Sequence, residues 1–199
     1  MYALITDNEI TKFINHPKSL VIGDVRYPAK IFQLWSTSQL NAIGIYEVVF
    51  DDSNKKDEQW YINTNQSYDF DGNEVTASYG SATAKAHADR NDTDEDGVEL
   101  DPVVVIEGLK TQLIRTLKSQ VAGILANTDW YITRNTEKST AIPSDISTHR
   151  DAVRTKQASM ETAITNANDT PALETLYTYT EQDDGSVTRP LGELPTLES

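Results

Sequence analysis

The chain contains no cysteine among its 199 residues. This absence excludes disulfide bonds, thiolate nucleophiles and zinc sites with sulfur ligands, and it suits the reducing cytoplasm of a bacterium. Glycine is scarce, with nine residues, and neither a G-x-G-x-x-G fingerprint nor a P-loop occurs in the sequence. The sequence therefore offers no glycine-rich cradle for a nucleotide phosphate.

Basic residues are also few, because 17 lysines and arginines face 31 acidic residues and give a formal net charge of −14. A surface this negative repels phosphate backbones, so we expect no nucleic-acid partner. The longest largely apolar run, residues 43–50, is much shorter than the ~20 residues of a membrane span. The first residues lack the basic and apolar regions of a signal peptide. We expect a soluble protein with no membrane partner.

Histidines and carboxylates do not form a recognisable catalytic group. His16, His87 and His149 are scattered, and none has the paired spacing of a metal site. His149 is expected on the polar edge of a helix. Carboxylates are numerous, so a carbohydrate-acting enzyme stays open as an alternative, but nothing marks two of them as a buried pair. The sequence predicts a non-enzymatic protein without a cofactor.

One acidic run has the spacing of a calcium loop. Asp92, Asp94 and Asp96 alternate before Gly97, and calcium takes six to eight oxygen ligands from flexible loops of this kind. In an EF-hand the twelfth position is glutamate, whereas here it is Val103. The favoured interpretation is a solvated acidic linker, with calcium binding as the alternative.

Residues 1–80 predict a small α+β module. Two strand-like segments, residues 2–6 and 9–14, flank Asp7-Asn8, which suits a two-residue hairpin turn. Further strands are expected at residues 43–50 and 59–64, with a short helix before the first of these and another turn at Asp71-Gly72. Residues 81–101 follow as the acidic linker, whose carboxylates repel one another and bury nothing.

Residues 102–199 have a helical period. Two apolar stripes recur at three- and four-residue spacing. Their members are Ile106, Leu109, Leu113, Leu117, Val121 and Ile124 in the first, and Ile146, Val153, Gln157, Met160 and Ile164 in the second. A short connection at residues 138–143 requires the two helices to lie antiparallel. The expected fold is α+β: a β-rich N-terminal module, an acidic linker, and an antiparallel helical hairpin with a short β-like tail.

The aromatic pair Trp130-Tyr131 has two interpretations. Trp130 either closes the core at the far end of the hairpin or anchors a partner, since exposed tryptophan and tyrosine are favoured at interfaces. Tyr131 likewise is either part of the core or an anchor, because tyrosine keeps one polar end in water. Arg134, Arg150 and Arg154 are expected on the helix surfaces.

These residues form an ordered pattern. An amphipathic helix leads into Thr-Asp-Trp, then an arginine and a glutamate, a short turn, Ile-Pro, and a helix with His-Arg and a following arginine. The positions are Leu125, Thr128, Asp129, Trp130, Arg134, Glu137, Ile142, Pro143, His149, Arg150, Val153 and Arg154. This pattern resembles the C-terminal region of bacteriophage tail and tail-fibre assembly chaperone-like proteins. The ending, residues 173–179 with 189–192, is similar to tail proteins of marine and cyanobacterial phages.

The resemblance implies a non-catalytic protein that acts in tail or tail-fibre assembly, or as an adaptor that joins tail components. Its expected partners are phage tail or tail-fibre proteins, or a second copy of the chain. Its expected location is the virion tail or the cytoplasm of the infected bacterium. Two alternatives are a permanent tail component in symmetric copies and a calcium-stabilised module associated with the fibre. The predicted partner-binding residues are Trp130, Tyr131, Arg134, Arg150 and Arg154.

Overall fold

A computed structural model describes residues 1–197. The chain is mixed α+β, with a curled β-sheet and C-terminal helices, which confirms the predicted fold class. It divides into two compact units, the first formed by Met1–Thr83 and the second beginning at Ala84.

The first unit is built mainly from strands. Its elements are β1 (Tyr2–Thr6), β2 (Glu9–Ile14), β3 (Leu20–Ile22), β4 (Val25–Tyr27), α1 (Ile31–Leu34), α2 (Thr37–Asn41), β5 (Ile45–Asp51), β6 (Tyr61–Ile62), β7 (Gln66–Phe70) and β8 (Val75–Tyr79). The two-residue strand β9 (Thr83–Ala84) includes the last residue of this unit and the first of the next. Five strands form one sheet in the order β2-β1-β5-β8-β7. Neighbouring strands are antiparallel except β5 and β8, which run parallel.

The sheet begins with the predicted hairpin and then curls. Asp7 and Asn8 both have positive φ angles, 52° and 68°, as a two-residue turn between twisted strands requires. The ring of Phe13 on β2 lies 4.5 Å, centroid to centroid, from the ring of Tyr68 on β7. These strands are the two edges of the sheet, so the curl brings its edges together.

Two apolar clusters hold the first unit. One contains Ile14, Leu20, Ile31, Leu40 and Ile45, and the other contains Ala3, Val48, Val75 and Ala77. The turn from α2 into β5 needs glycine. Gly44 has a φ of +79°, and a Cβ there would lie 2.6 Å from the carbonyl oxygen of Ile5.

The second unit is mainly helical. Its elements are β10 (Arg90–Asn91), β11 (Val105–Ile106), α3 (Leu109–Ala126), α4 (Asp129–Lys138), α5 (Ser144–Asn166), α6 (Thr170–Tyr177), β12 (Thr180–Glu181) and β13 (Val187–Thr188). None of the helices formed by residues 1–197 has both the length and the apolar composition needed to cross a membrane.

Helices α3 and α5 form the predicted antiparallel hairpin. Lys110, at the start of α3, donates to the carbonyl oxygen of Thr165 at the end of α5 (2.8 Å). At the other end of the pair, Arg150 near the start of α5 donates to the carbonyl oxygen of Leu125 (2.7 Å). The two apolar stripes supply the core, with Leu117, Val121, Val153, Met160 and Ile164 all buried.

The acidic segment differs from the expected solvated linker. Strands β10 and β11 pair antiparallel, and Thr93 pairs with Glu99 beyond them. The turn forms because the Asp94 carboxylate accepts hydrogen bonds from the backbone N–H groups of Asp96 (3.0 Å) and Val98 (2.9 Å). Such side-chain bonds order a polar loop without burying it. We call residues 89–107 the acidic hairpin.

The acidic hairpin is joined to the start of α3. The first N–H groups of a helix have no partner within the helix. Here the Gly108 N–H donates to the Asp89 carboxylate (2.7 Å), and the Leu109 N–H donates to the Ala86 carbonyl (3.0 Å). A Cβ on Gly108 would lie 2.4 Å from the Ala88 carbonyl group. Glycine therefore permits the close approach that caps α3.

The same contacts act on the carboxyl group of Asp89. The hydrogen bond from the Gly108 N–H, followed by the one from the Thr111 hydroxyl, lowers the pKa of Asp89 below its ordinary value. Both bonds favour the ionised carboxylate, so the cap is made by the charged form.

Candidate protein-interaction site

The candidate site lies where α3 ends and α4 begins. Thr128 interrupts the helical run: its backbone N–H and its hydroxyl both donate to the Leu125 carbonyl, at 3.0 and 3.1 Å. The chain then resumes as the ten-residue helix α4. The Thr-Asp-Trp sequence thus forms a break between two helices, with the tryptophan just after it.

A buried arginine fixes this break. Arg150, on α5, is only 6% exposed. Its Nη1 donates to the Leu125 carbonyl (2.7 Å) and to the Thr128 hydroxyl oxygen (2.6 Å), and its Nη2 contacts the Asp129 carboxylate (2.9 Å). A cation is favourable beside the C-terminal carbonyl groups of α3. The prediction that Arg150 lies on the helix surface is wrong, because its guanidinium is buried and contacts the residues that join α3 to α4. These contacts position the start of α4.

Trp130, Tyr131 and Arg134 form an exposed group that we call the aromatic platform. Trp130 is 51% exposed, so its interpretation as core is wrong. Its ring stacks on that of the half-buried Tyr131, with centroids 3.9 Å apart. The guanidinium of Arg134 lies 5.4 Å from the Trp130 ring centroid, as residues four apart on a helix allow.

Helix α4 carries the platform and contributes no buried residue to the unit. Ile132 is exposed as well. Arg150 contacts the start of α4. At the other end, the helix stops at Ser139, whose φ of 50° is left-handed, and the Asn135 side chain donates to the Thr140 carbonyl just beyond it (2.9 Å). Isolated helices of this length are marginal in water. Contacts at its two ends therefore help to hold α4 in place while Trp130 and Ile132 are exposed to solvent.

Arg154 lies one turn beyond Arg150 on α5 and remains exposed. Its Nη1 is 3.5 Å from the carboxylate of Asp151, which is exposed too. Of the two α5 arginines, Arg150 contacts the break before α4, whereas Arg154 has the surface position that the sequence predicts.

His149 was also expected on the surface but is buried. The reason is helical spacing, since Ile146, His149, Arg150 and Val153 recur at three- and four-residue intervals and share the buried face of α5. A cavity of about 290 Å³ borders His149 and Thr128. Polar residues on an apolar face are not found by a search for hydrophobic periodicity, which is why the sequence pattern misplaced both His149 and Arg150.

The calcium candidates Asp92 and Asp94 form hydrogen bonds with nearby backbone N–H groups. The Asp94 carboxylate bonds to the backbone of its own turn, and the Asp92 carboxylate accepts the Thr93 N–H (3.0 Å). Asp96 is exposed in the same turn. Within residues 1–197, no group of three or more histidine, aspartate or glutamate side chains is arranged to hold a metal ion.

Comparison of the chain with protein-family models, with curated proteins and with solved structures finds no match. The assignment to phage tail proteins therefore stays a prediction from the sequence pattern around Thr128, Trp130 and Arg150.

Proposed function

We propose that the protein is a non-catalytic bacteriophage tail protein that acts in tail or tail-fibre assembly, or joins tail components, through protein–protein contacts. The observation that carries this proposal is the aromatic platform, an exposed tryptophan with a tyrosine and an arginine beside it on a helix without buried residues. Tryptophan, tyrosine and arginine are the residues most enriched among binding hot spots. The sequence resemblance supplies the class of partner.

The physical argument concerns preorganisation. A partner that covers Trp130 removes apolar surface from water, and it gains most if the side chain is already held in place. The stacked Tyr131 ring and the Arg134 guanidinium restrict Trp130 from its own helix. Arg150 fixes the start of that helix. Little conformational entropy then remains to be lost on binding.

Substitution of Trp130 tests the platform. We expect Trp130→Ala to weaken binding to the tail or fibre proteins of the same phage by roughly tenfold or more, as hot-spot truncation does. The free energy of unfolding should change by no more than about 1 kcal/mol, because the side chain is half exposed and its main contacts are with Tyr131 and Arg134. Binding is measured by calorimetry and stability by urea unfolding.

The matched control is Phe50→Ala, since Phe50 is 52% exposed but lies on β5 in the first unit. This variant should bind as the wild type does. Equal losses of binding in Trp130→Ala and Phe50→Ala would contradict the platform, as would a loss of stability in Trp130→Ala that matches its loss of binding.

Quantitative mass spectrometry of purified particles and infected-cell lysate separates the two forms of the proposal. A fixed copy number in the particle identifies a permanent tail component. Abundance in the lysate with absence from the particle identifies an assembly protein. Absence from the particle and from every complex with tail or fibre proteins would contradict the proposed function.

A further inference from the structure

The acidic hairpin exposes a second apolar surface. Val98, Val103, Val104 and Val105 are all exposed, although valine is usually buried in strands. Successive side chains of an extended segment point to opposite faces. Because Val104 is exposed together with both of its neighbours, neither face of residues 103–105 is covered. We call these four residues the valine surface.

Its members lie in the same segment of the hairpin, after the turn, and this segment pairs with the facing strand. The Asp94 N–H donates to the Val98 carbonyl (2.9 Å), and the Asp92 N–H donates to the Val104 carbonyl (2.7 Å). Asp92 and Asp94 are two residues apart on one side of the hairpin, so Val98 and Val104, which pair with them, lie near each other along the facing segment. The exposed valines therefore belong to one small structure rather than to scattered positions. Grouped apolar exposure of this kind marks an interaction site.

The charge of the acidic hairpin is predominantly negative. Residues 89–107 contain eight aspartates and glutamates and a single basic residue, Arg90. A second copy would bring the same carboxylates face to face, and nucleic acids and anionic lipids are repelled in the same way. A basic protein surface is attracted to these carboxylates, which neutralise its positive charge.

The hairpin is also attached firmly enough to bind without reordering. Bonds from Gly108 and Thr111 to the two Asp89 carboxylate oxygens, at 2.7 and 2.8 Å, join its base to α3. Glu107 forms an ion pair with Arg115 on the same helix. A docked partner therefore meets a surface that α3 already positions, which reduces the entropic cost of binding.

We propose that the valine surface docks a protein segment with apolar side chains bordered by lysine or arginine. The apolar centre provides the buried contact, and the carboxylates around it select the charge of the partner. This site is separate in sequence from the aromatic platform, and the proposal stands whether or not the protein belongs to a phage tail.

The test is selection of a random dodecapeptide library on the full chain, followed by synthesis of the enriched peptides and fluorescence anisotropy. We expect enriched peptides to combine lysine or arginine with apolar residues and to lose affinity as sodium chloride is added. The double variant Val103→Ser, Val105→Ser should bind them at least tenfold more weakly. Circular dichroism verifies that this variant folds.

The chain offers a matched control. Val187 lies in the β12–β13 hairpin of the same unit and is 59% exposed, against 54% for Val105. Val187→Ser should leave peptide affinity unchanged. Peptides without basic residues, or peptides that bind the double variant as well as the wild type, would overturn the proposal. So would self-association in sedimentation that the double variant abolishes, because it would assign the surface to a second copy.

Discussion

A guanidinium that leaves water loses its hydration shell, and folding compensates only if the N–H groups find acceptors. Arg150 contacts a backbone carbonyl in the last turn of α3, the Thr128 hydroxyl in the break, and the Asp129 carboxylate at the start of α4. Among residues 1–197, no buried side-chain polar atom lacks a hydrogen-bond partner. The acceptors at the break between α3 and α4 thus compensate the buried guanidinium for its lost hydration, and the guanidinium in turn stabilises the break.

Removal of this arginine should be costly. We expect Arg150→Met, which keeps much of the side-chain length, to lower the free energy of unfolding by about 3 kcal/mol, because it leaves the Thr128 hydroxyl and the Leu125 carbonyl without their charged donor. Arg154→Met should cost less than about 0.5 kcal/mol, since the Arg154–Asp151 pair is exposed. Urea unfolding measures both, and similar losses in the two variants would be evidence against a structural role for Arg150.

At the scale of elements, the Asp89 carboxylate links the acidic hairpin to the start of α3 through hydrogen bonds. The pKa of Asp89 is lowered chiefly by the Gly108 N–H, so the ionised carboxylate stabilises the folded chain at pH values above the ordinary aspartate pKa. This contribution is lost as the pH falls through the lowered, folded-state pKa. The capping of α3 therefore weakens in acid.

Asp89→Asn tests this coupling. The asparagine carries no charge, so we expect the stability difference between wild type and variant to be largest near neutral pH and to shrink as the pH falls through the lowered pKa. Urea unfolding over a pH series measures it. The control is Asp184→Asn, whose carboxyl pKa is lowered by Ser186 within the β12–β13 turn. Amide exchange at Gly108 should respond to Asp89→Asn and not to the control; an identical response would contradict the coupling.

The elements differ in how far sequence predicts them. The hairpin at Asp7-Asn8 and the helices α3 and α5 follow from turn chemistry and apolar period, and the structure confirms them. The break at Thr128 depends on Arg150, 22 residues away, and the order of the acidic hairpin depends on side-chain bonds to the backbone. Neither has a periodic signal. The aromatic platform uses predicted residues, while the assignment to a phage tail stays a prediction.

At the scale of the whole molecule, the net charge of −14 opposes folding through repulsion among carboxylates. Salt screens this repulsion, because the Debye length falls from about 30 Å at 0.01 M to about 10 Å at 0.1 M ionic strength. We therefore expect the unfolding temperature, measured by calorimetry, to rise with sodium chloride over this range. The double variant Glu95→Gln, Asp96→Asn should show a smaller rise. A fall with added salt would mean that ion pairs outweigh the repulsion.

The curl of the first unit's sheet has a consequence for aggregation. The outer strands of an open sheet present unpaired backbone groups to which strands of other molecules add, and this is how many β-rich proteins begin to form fibrils. Because the Phe13 and Tyr68 rings meet across the two edges, β2 and β7 shield each other from such addition. Contact between these two rings thus protects a strand-rich unit at the high concentrations at which abundant proteins are made.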